Sequence, residues 1–540
     1  METENRKSHK EIQLNSGSGN WLKKIGQNIL SIYFIILTVI YPYYAPGGYL
    51  EIGENKYIFF RNVTLVWLAA MLLVILCTVV RRPGLLTEYF HRMSVTDWFA
   101  YGYFVAVMLS YLCSSYKEEA LWGAQGWYMG TVMQMIFVLL YFFFSRYFVY
   151  RVKWVAVWLA ASAGVFVLGI LNRYSIYPVD MAGQTPVFIS TLGNINWFCG
   201  YWSVTAPMGM ALYWCSKGRW YRVAAGVYSF LAILAGIVQG SESAYLVFAA
   251  AFVILLLFSI HSVQYFYRWM QLCMMFAAGC QAARLLRYLP GFWLNYGSGL
   301  NGGSPSMMER LTSGNGTLWA LCIVFSGYVL LRLWIHRKDR DASGRIRNLL
   351  EDGRGNKICA AVLILCGCVG LCGLFKFGGL LYGGEEVPIM LFREDWGNGR
   401  GAAWNCSIEA YRALDALHRI VGVGPDCFAA YVYEVPAAAG RLVEEFGSER
   451  LTNAHNEGLS MLMNVGALGC MCYAGFVGSA LIRFCKGARG QTFLYVCAVS
   501  LLAYTVHNMV SFQQVLSTPY FFMLLGMGEG VLRKAGKDYE

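Results

Sequence analysis

Charge is scarce in this chain: 14% of its 540 residues are charged, against 57% that are hydrophobic. A water-soluble domain carries roughly 25% charged residues, so an ordinary soluble fold is excluded. No Gly-x-x-x-x-Gly-Lys-Ser/Thr motif occurs, which excludes a phosphate-cradling P-loop and ATP as this chain's own energy source. Metal chemistry finds little support either. His-Glu-x-x-His and His-x-x-x-His are absent, as is an outward Cys-x-x-Cys pair, so neither a metal nor another cofactor is expected. Asp339-Arg340-Asp341 matches the Asp-x-Asp of metal-dependent sugar transferases only formally, because it sits in a strongly basic segment that reads as a solvated charge run. The polar first 27 residues lead into an apolar span with no small-x-small cleavage site, which reads as a retained anchor.

What is present is a series of apolar runs long enough to cross about 30 Å of hydrocarbon. They fall at approximately 28–44, 60–80, 97–114, 128–146, 154–172, 197–215, 222–240, 243–260, 268–286, 316–334, 358–376, 457–482, 491–507 and 517–533. The chain therefore reads as all-α, a polytopic membrane bundle of about 12–14 transmembrane helices. Its regions are a cytoplasmic tail (1–27), a transmembrane region (28–380), a long polar loop (381–456), C-terminal helices (457–533) and a second tail (534–540).

Lys and Arg set the orientation. With the N-terminus inside, the inner loops hold about two dozen of them and the outer loops about five, so both termini are expected in the cytoplasm and the 381–456 loop outside. The net charge of +12 then reflects topology and anionic headgroups as partners. Its spread over every inner loop argues against nucleic acid. Most of the 17 cysteines lie in spans as small packing residues. Cys406 and Cys427 both fall in the outer loop and can pair.

That loop concentrates the polar motifs. Trp404, Ile408, Tyr411, Leu414 and Leu417 recur at helical spacing opposite Glu409, Arg412, Asp415 and Arg419, which predicts one amphipathic helix over 403–421 at the outer interface. Arg400, flanked by Gly397, Gly399 and Gly401, reads either as a bidentate clamp for a diphosphate or as a surface arginine in a turn. His455, where the loop re-enters the membrane, reads either as a base for a sugar hydroxyl or as a histidine bonding at a helix start.

Read together, these residues resemble the O-antigen ligase/polymerase family of Wzy-type membrane glycosyltransferases. The similar segments are Thr191-Leu192-Gly193-Asn194-Ile195-Asn196, Gly399-Arg400 with Trp404, and Gly422-Val423-Gly424-Pro425 with Phe428. Ala454-His455-Asn456 with Leu459, Gly466 and Gly469, then His507-Asn508 with Phe512, complete the set in the family's order. The resemblance implies a GT-C-class fold in the cytoplasmic membrane. It implies transfer or polymerisation of glycans from a polyprenyl-diphosphate donor to a glycan, lipid or cell-wall acceptor at the outer face, without metal. It assigns His455 to the acceptor hydroxyl, Arg400 to the donor diphosphate, and Gly399, Trp404, Gly422, Gly424, Pro425 and Asn456 to the surrounding substrate site. One position departs. Where many members carry a Ser-Arg turn, this chain has Ser241-Glu242-Ser243. Arg310, Arg287 or Arg412 is then the second cation, or Glu242 meets the acceptor. The alternative function is a polysaccharide flippase or transporter, which predicts ionisable residues in mid-span and inverted repeats.

Overall fold

The computed structural model describes residues 21–185, 187–260, 262–289, 311–312, 314–337 and 396–537. Over these the protein is an all-α bundle. The one β element is a two-residue hairpin, Phe188–Ile189 against Gly193–Asn194. The bundle begins with α1 (Trp21–Tyr43), α2 (Ile52–Arg81), α3 (Val95–Cys113), α4 (Thr131–Tyr147) and α5 (Val152–Arg173). It continues with α6 (Ile195–Cys215), α7 (Arg219–Val238), α8 (Ser243–Ser259), α9 (Val263–Leu286) and α10 (Gly316–Arg337). The polar segment supplies α11 (Trp396–Ala413), α12 (Ala416–Val421), α13 (Phe428–Val432) and α14 (Pro436–Phe446). The chain closes with α15 (Glu457–Gly487), α16 (Phe493–Asn508) and α17 (Thr518–Lys537).

Each expected span except 358–376 coincides with one of these helices; 358–376 lies outside the described residues. Among the described residues, six helices are long and apolar enough to cross a membrane: α1, α2, α5, α7, α15 and the 316–333 part of α10. The α4, α8 and α16 helices are apolar but shorter. The last three helices run through the middle, α15 packing on α3, α17 on α4 and α16 on α6. Around them Trp158, Trp202 and Trp214 are completely buried, with Tyr103, Tyr141 and Tyr201.

The connections gather at two ends. At one end Tyr49 Oη donates to Ser190 O (2.7 Å), Tyr41 Oη to Val515 O (3.0 Å), and the Ala124 amide to Asp426 (2.8 Å). The opposite end is stapled by ion pairs in which Asp97 meets Arg146 (3.2 Å) and Arg533, and Glu529 meets Arg483 (3.0 Å) and Arg533 (3.3 Å). Both carboxylates are fully buried, so each is tolerable only with such partners.

One expectation needs correction. The 403–421 stretch is two helices rather than one: α11 ends at Ala413, and Asp415 starts α12 by accepting from the His418 amide (2.9 Å). Of the predicted apolar stripe, Trp404 and Tyr411 pack against the polar segment's main cluster and Leu414 packs in a cluster shared with Ala120, Tyr111 and Tyr116, whereas Ile408 and Leu417 are exposed. The stripe is half core because α13 and α14 cover it. Cys406 and Cys427 are both free thiols, buried in different clusters, so the possible disulfide does not form.

Candidate functional site at the loop end of the bundle

The re-entry helix α15 is the frame of the site. It is kinked at Gly466 (φ 67°, ψ −176°), which leaves carbonyls without their helical donors. The Gly-Val-Gly-Pro turn supplies replacements: the Val423 amide donates to Met463 O and the Gly424 amide to Asn464 O, both at 3.0 Å. From α3, Ser110 Oγ also donates to Asn464 O (2.7 Å), and Ser114 Oγ donates to Val423 O (2.6 Å). The backbones touch here. A Cβ on Gly422 (φ 82°) would lie 2.3 Å from Asn464 O. The resemblance-assigned glycines thus act through backbone contact, and Pro425 alone of that turn's three assigned residues lines the adjoining cavity.

At the start of α15, Asn456 accepts from the Leu459 amide (3.0 Å). Its side chain is therefore an N-cap. The preceding His455 is held in the left-handed region (φ 47°), its amide donating to Asn453 Oδ1 (3.0 Å). Its ring meets the edge of Phe512 at 5.2 Å between centroids. Among the described residues, the other non-glycine residues at positive φ are Glu51, Tyr128, Ser175, Ser190 and Asp426. All lie in connections at this same end. Strain of this kind costs about 1–3 kcal/mol per residue and concentrates at functional sites.

Arg400 reaches this point from α11. Its Nε donates to Val510 O (3.2 Å) and its Nη1 to Gly397 O (2.7 Å). Gly399 (φ 77°) makes room, since a Cβ there would lie 2.6 Å from the Phe446 ring. Burial lowers the Arg400 pKa, with Glu242 acting in the other direction. Burial, and then the Arg400 charge, lower the His455 imidazole to about 4. His455 is therefore neutral near pH 7 and sits within electrostatic reach of the guanidinium. Arg400 also acts electrostatically on the buried ring of His507.

The turn that carries Glu242 is tied to the same place. Ser241 Oγ donates to Asn196 Oδ1 (2.7 Å) and bonds Ser243 Oγ (2.9 Å), which lies 3.3 Å from Cys199 Sγ. Cys199 Sγ in turn is 3.8 Å from His507 Nδ1. Asn194 caps α6 through the Asn196 amide (2.8 Å). Of the sequence-predicted residues, Arg400 thus interacts electrostatically with both His455 and Glu242. Trp404 belongs to the polar segment's core, Arg412 is exposed on α11, Arg287 donates to Thr312 Oγ1 (2.8 Å), and Arg310 lies outside the described residues.

Next to Phe512, which backs the His455 ring, lies a small pocket whose lining includes neither His455 nor Arg400. Trp127 and Phe512, edge to face at 4.7 Å, form an aromatic wall, and Asp426, Asn453, Glu457 and Gln513 supply polar groups. Asp426 and Glu457 were not singled out by sequence, although each directly follows a motif that was. Asp426 Oδ2 accepts from the Ala124 and Met129 amides, each at 2.8 Å, and so holds the loop that carries Trp127. Burial raises the Asp426 carboxyl to about 7 against the pull of those two amides. Glu457 accepts from Gln513 (3.0 Å) and Asn508, while Gln513 also accepts from Gln134 (2.9 Å). Among the described residues no group of three or more His, Cys, Asp or Glu side chains is placed to hold a metal ion.

Over the described residues the protein is all-α, with helices long and apolar enough to cross a membrane and a polar, aromatic-walled pocket at one end. No protein-family model matches the chain, and no curated protein matches it.

Proposed function

We propose that the protein is a membrane glycosyltransferase of the GT-C class. It joins or polymerises glycans carried on polyprenyl diphosphate, with the site at the outer face of the cytoplasmic membrane. The observation that supports this reading is the electrostatic coupling of Arg400 to His455, whose ring lies against Phe512, a residue that with Trp127 walls the adjoining pocket. Arg400 binds the donor diphosphate. Neutral His455 accepts the proton of an acceptor hydroxyl as its oxygen bonds to the anomeric carbon. The bond from that carbon to the diphosphate oxygen breaks, and the electron pair leaves with the diphosphate, whose charge Arg400 offsets. Aromatic faces flanked by amides and carboxylates are the side-chain types that recognise a sugar ring.

The coupling between the two residues gives the site an order of events. Burial first, and the Arg400 charge in addition, lower His455, making the free imidazole a poor base. A bound diphosphate offsets that charge and raises the proton affinity of His455, so the base strengthens when the donor is in place.

The test is the glycan chain-length profile of cells carrying wild type, His455→Ala or Arg400→Ala at equal membrane levels. The proposal expects loss of long or anchored glycan in both variants; wild-type profiles in both would reject it.

A further inference from the structure

At the end of the bundle opposite the candidate site, a groove opens between α1 and the turn joining α4 to α5. Its floor is apolar, with Leu30, Phe34 and Phe148 buried. Its rim is polar and cationic, with Gln27 and Asn28 on one side and Arg151 and Lys153 on the other. Both cations are exposed, and among the described residues neither has a carboxylate partner. Lys153 lies over the Trp154 ring (4.9 Å), and that ring is fixed edge-on against Phe34 at 5.8 Å. Lys534 adds charge nearby by donating to Phe148 O (2.9 Å). No side chain caps the first turn of α5, which begins after Arg151, so the positive end of that helix faces the same rim.

We propose that this groove is a binding site for one anionic phospholipid, its phosphate on Arg151 and Lys153 and an acyl chain along Leu30, Ile32 and Phe34. Charge complementarity selects the occupant. A groove cationic at its rim and apolar at its floor matches a negative headgroup with a hydrocarbon tail, and a tryptophan stacked on a lysine sits at the depth where headgroups meet chains. The site is independent of the glycosyltransferase reading.

Native mass spectrometry of the full-length, detergent-solubilised protein tests it, with phosphatidylglycerol and phosphatidylcholine titrated separately. One phosphatidylglycerol should be retained in preference to phosphatidylcholine. Arg151→Gln with Lys153→Gln should reduce that retention roughly 30-fold, the effect of removing two headgroup-facing cations. Arg151→Lys with Lys153→Arg keeps the charge and should keep the lipid, which separates loss of the site from misfolding. Equal retention of the two lipids, unchanged retention in the Gln variant, or displacement of phosphatidylglycerol by millimolar inorganic phosphate would each overturn the assignment.

Discussion

Gly422 and Gly466 meet backbone to backbone: a Cβ on Gly466 would lie 2.5 Å from the Gly422 nitrogen and 2.3 Å from Ile420 O. This contact fixes the polar segment to the kink of α15, from which the helix runs back to His455. Either glycine replaced by alanine must push two backbones apart and adopt a positive φ. We expect Gly422→Ala or Gly466→Ala to cost about 3 kcal/mol, seen as lower melting temperature and earlier proteolysis between residues 414 and 456. Gly478→Ala, with open space around it, should leave both unchanged.

Glu457 acts on the site through the 508–513 segment. It binds Asn508 and Gln513, and between them Val510 accepts from Arg400 while Phe512 backs His455. Glu457→Ala orphans these buried donors, at a cost of about 3 kcal/mol. The predicted signature is loss of transfer in protein that still reaches the membrane, with His455 intact. A Glu457→Ala variant with wild-type glycan output would remove it as a positioning residue.

The pH behaviour follows from His455. Its folded value, about 4, lies below the ordinary histidine value of 6.5. The unfolded chain therefore takes up the proton first, and the stability contributed by neutral His455 is lost as pH falls from about 6.5 to 4. In the free enzyme the ring stays neutral from pH 7 down to about 5, so kcat/KM should hold over that range, while kcat should fall at a higher pH because bound diphosphate raises the imidazole. Arg400→Gln removes a neighbouring positive charge, so the imidazole titration should move upward, measurable by histidine NMR in detergent.

Asp426 has the opposite sign. Its carboxyl is raised from 3.8 to about 7 in the folded protein, so the folded state holds the proton more tightly than the unfolded one. Its stabilising contribution is present below about pH 4 and lost as pH rises through 7. Asp426→Asn keeps an oxygen for the Ala124 and Met129 amides without the charge. Its melting temperature should improve relative to wild type at pH 8 and not at pH 4.

The helices were legible because hydropathy acts locally: a run such as residues 60–80 announces itself whatever surrounds it. His455 and Arg400 were legible as residue types at a membrane boundary and between glycines. The break between α11 and α12 was not, because Asp415 fits the polar face of a continuous helix as well as it fits an N-cap. Glu457 and Asp426 were hidden for another reason. Their partners, Asn508 and Gln513 for one and Ala124 and Met129 for the other, are distant in sequence. The packing of Trp404 was not legible either, because an aromatic residue at helical spacing reads alike whether it faces headgroups or a small helical core.

The most direct test of the central claim is where lipid-linked glycan accumulates when His455 is replaced by Gln, a side chain that cannot serve as the base. Membranes from such cells, probed with an impermeant lectin or glycosidase before and after opening, report the leaflet. A transferase whose base is His455 predicts accumulation on the outer leaflet together with loss of finished glycan. Accumulation on the inner leaflet, or no accumulation with normal glycan, would contradict it.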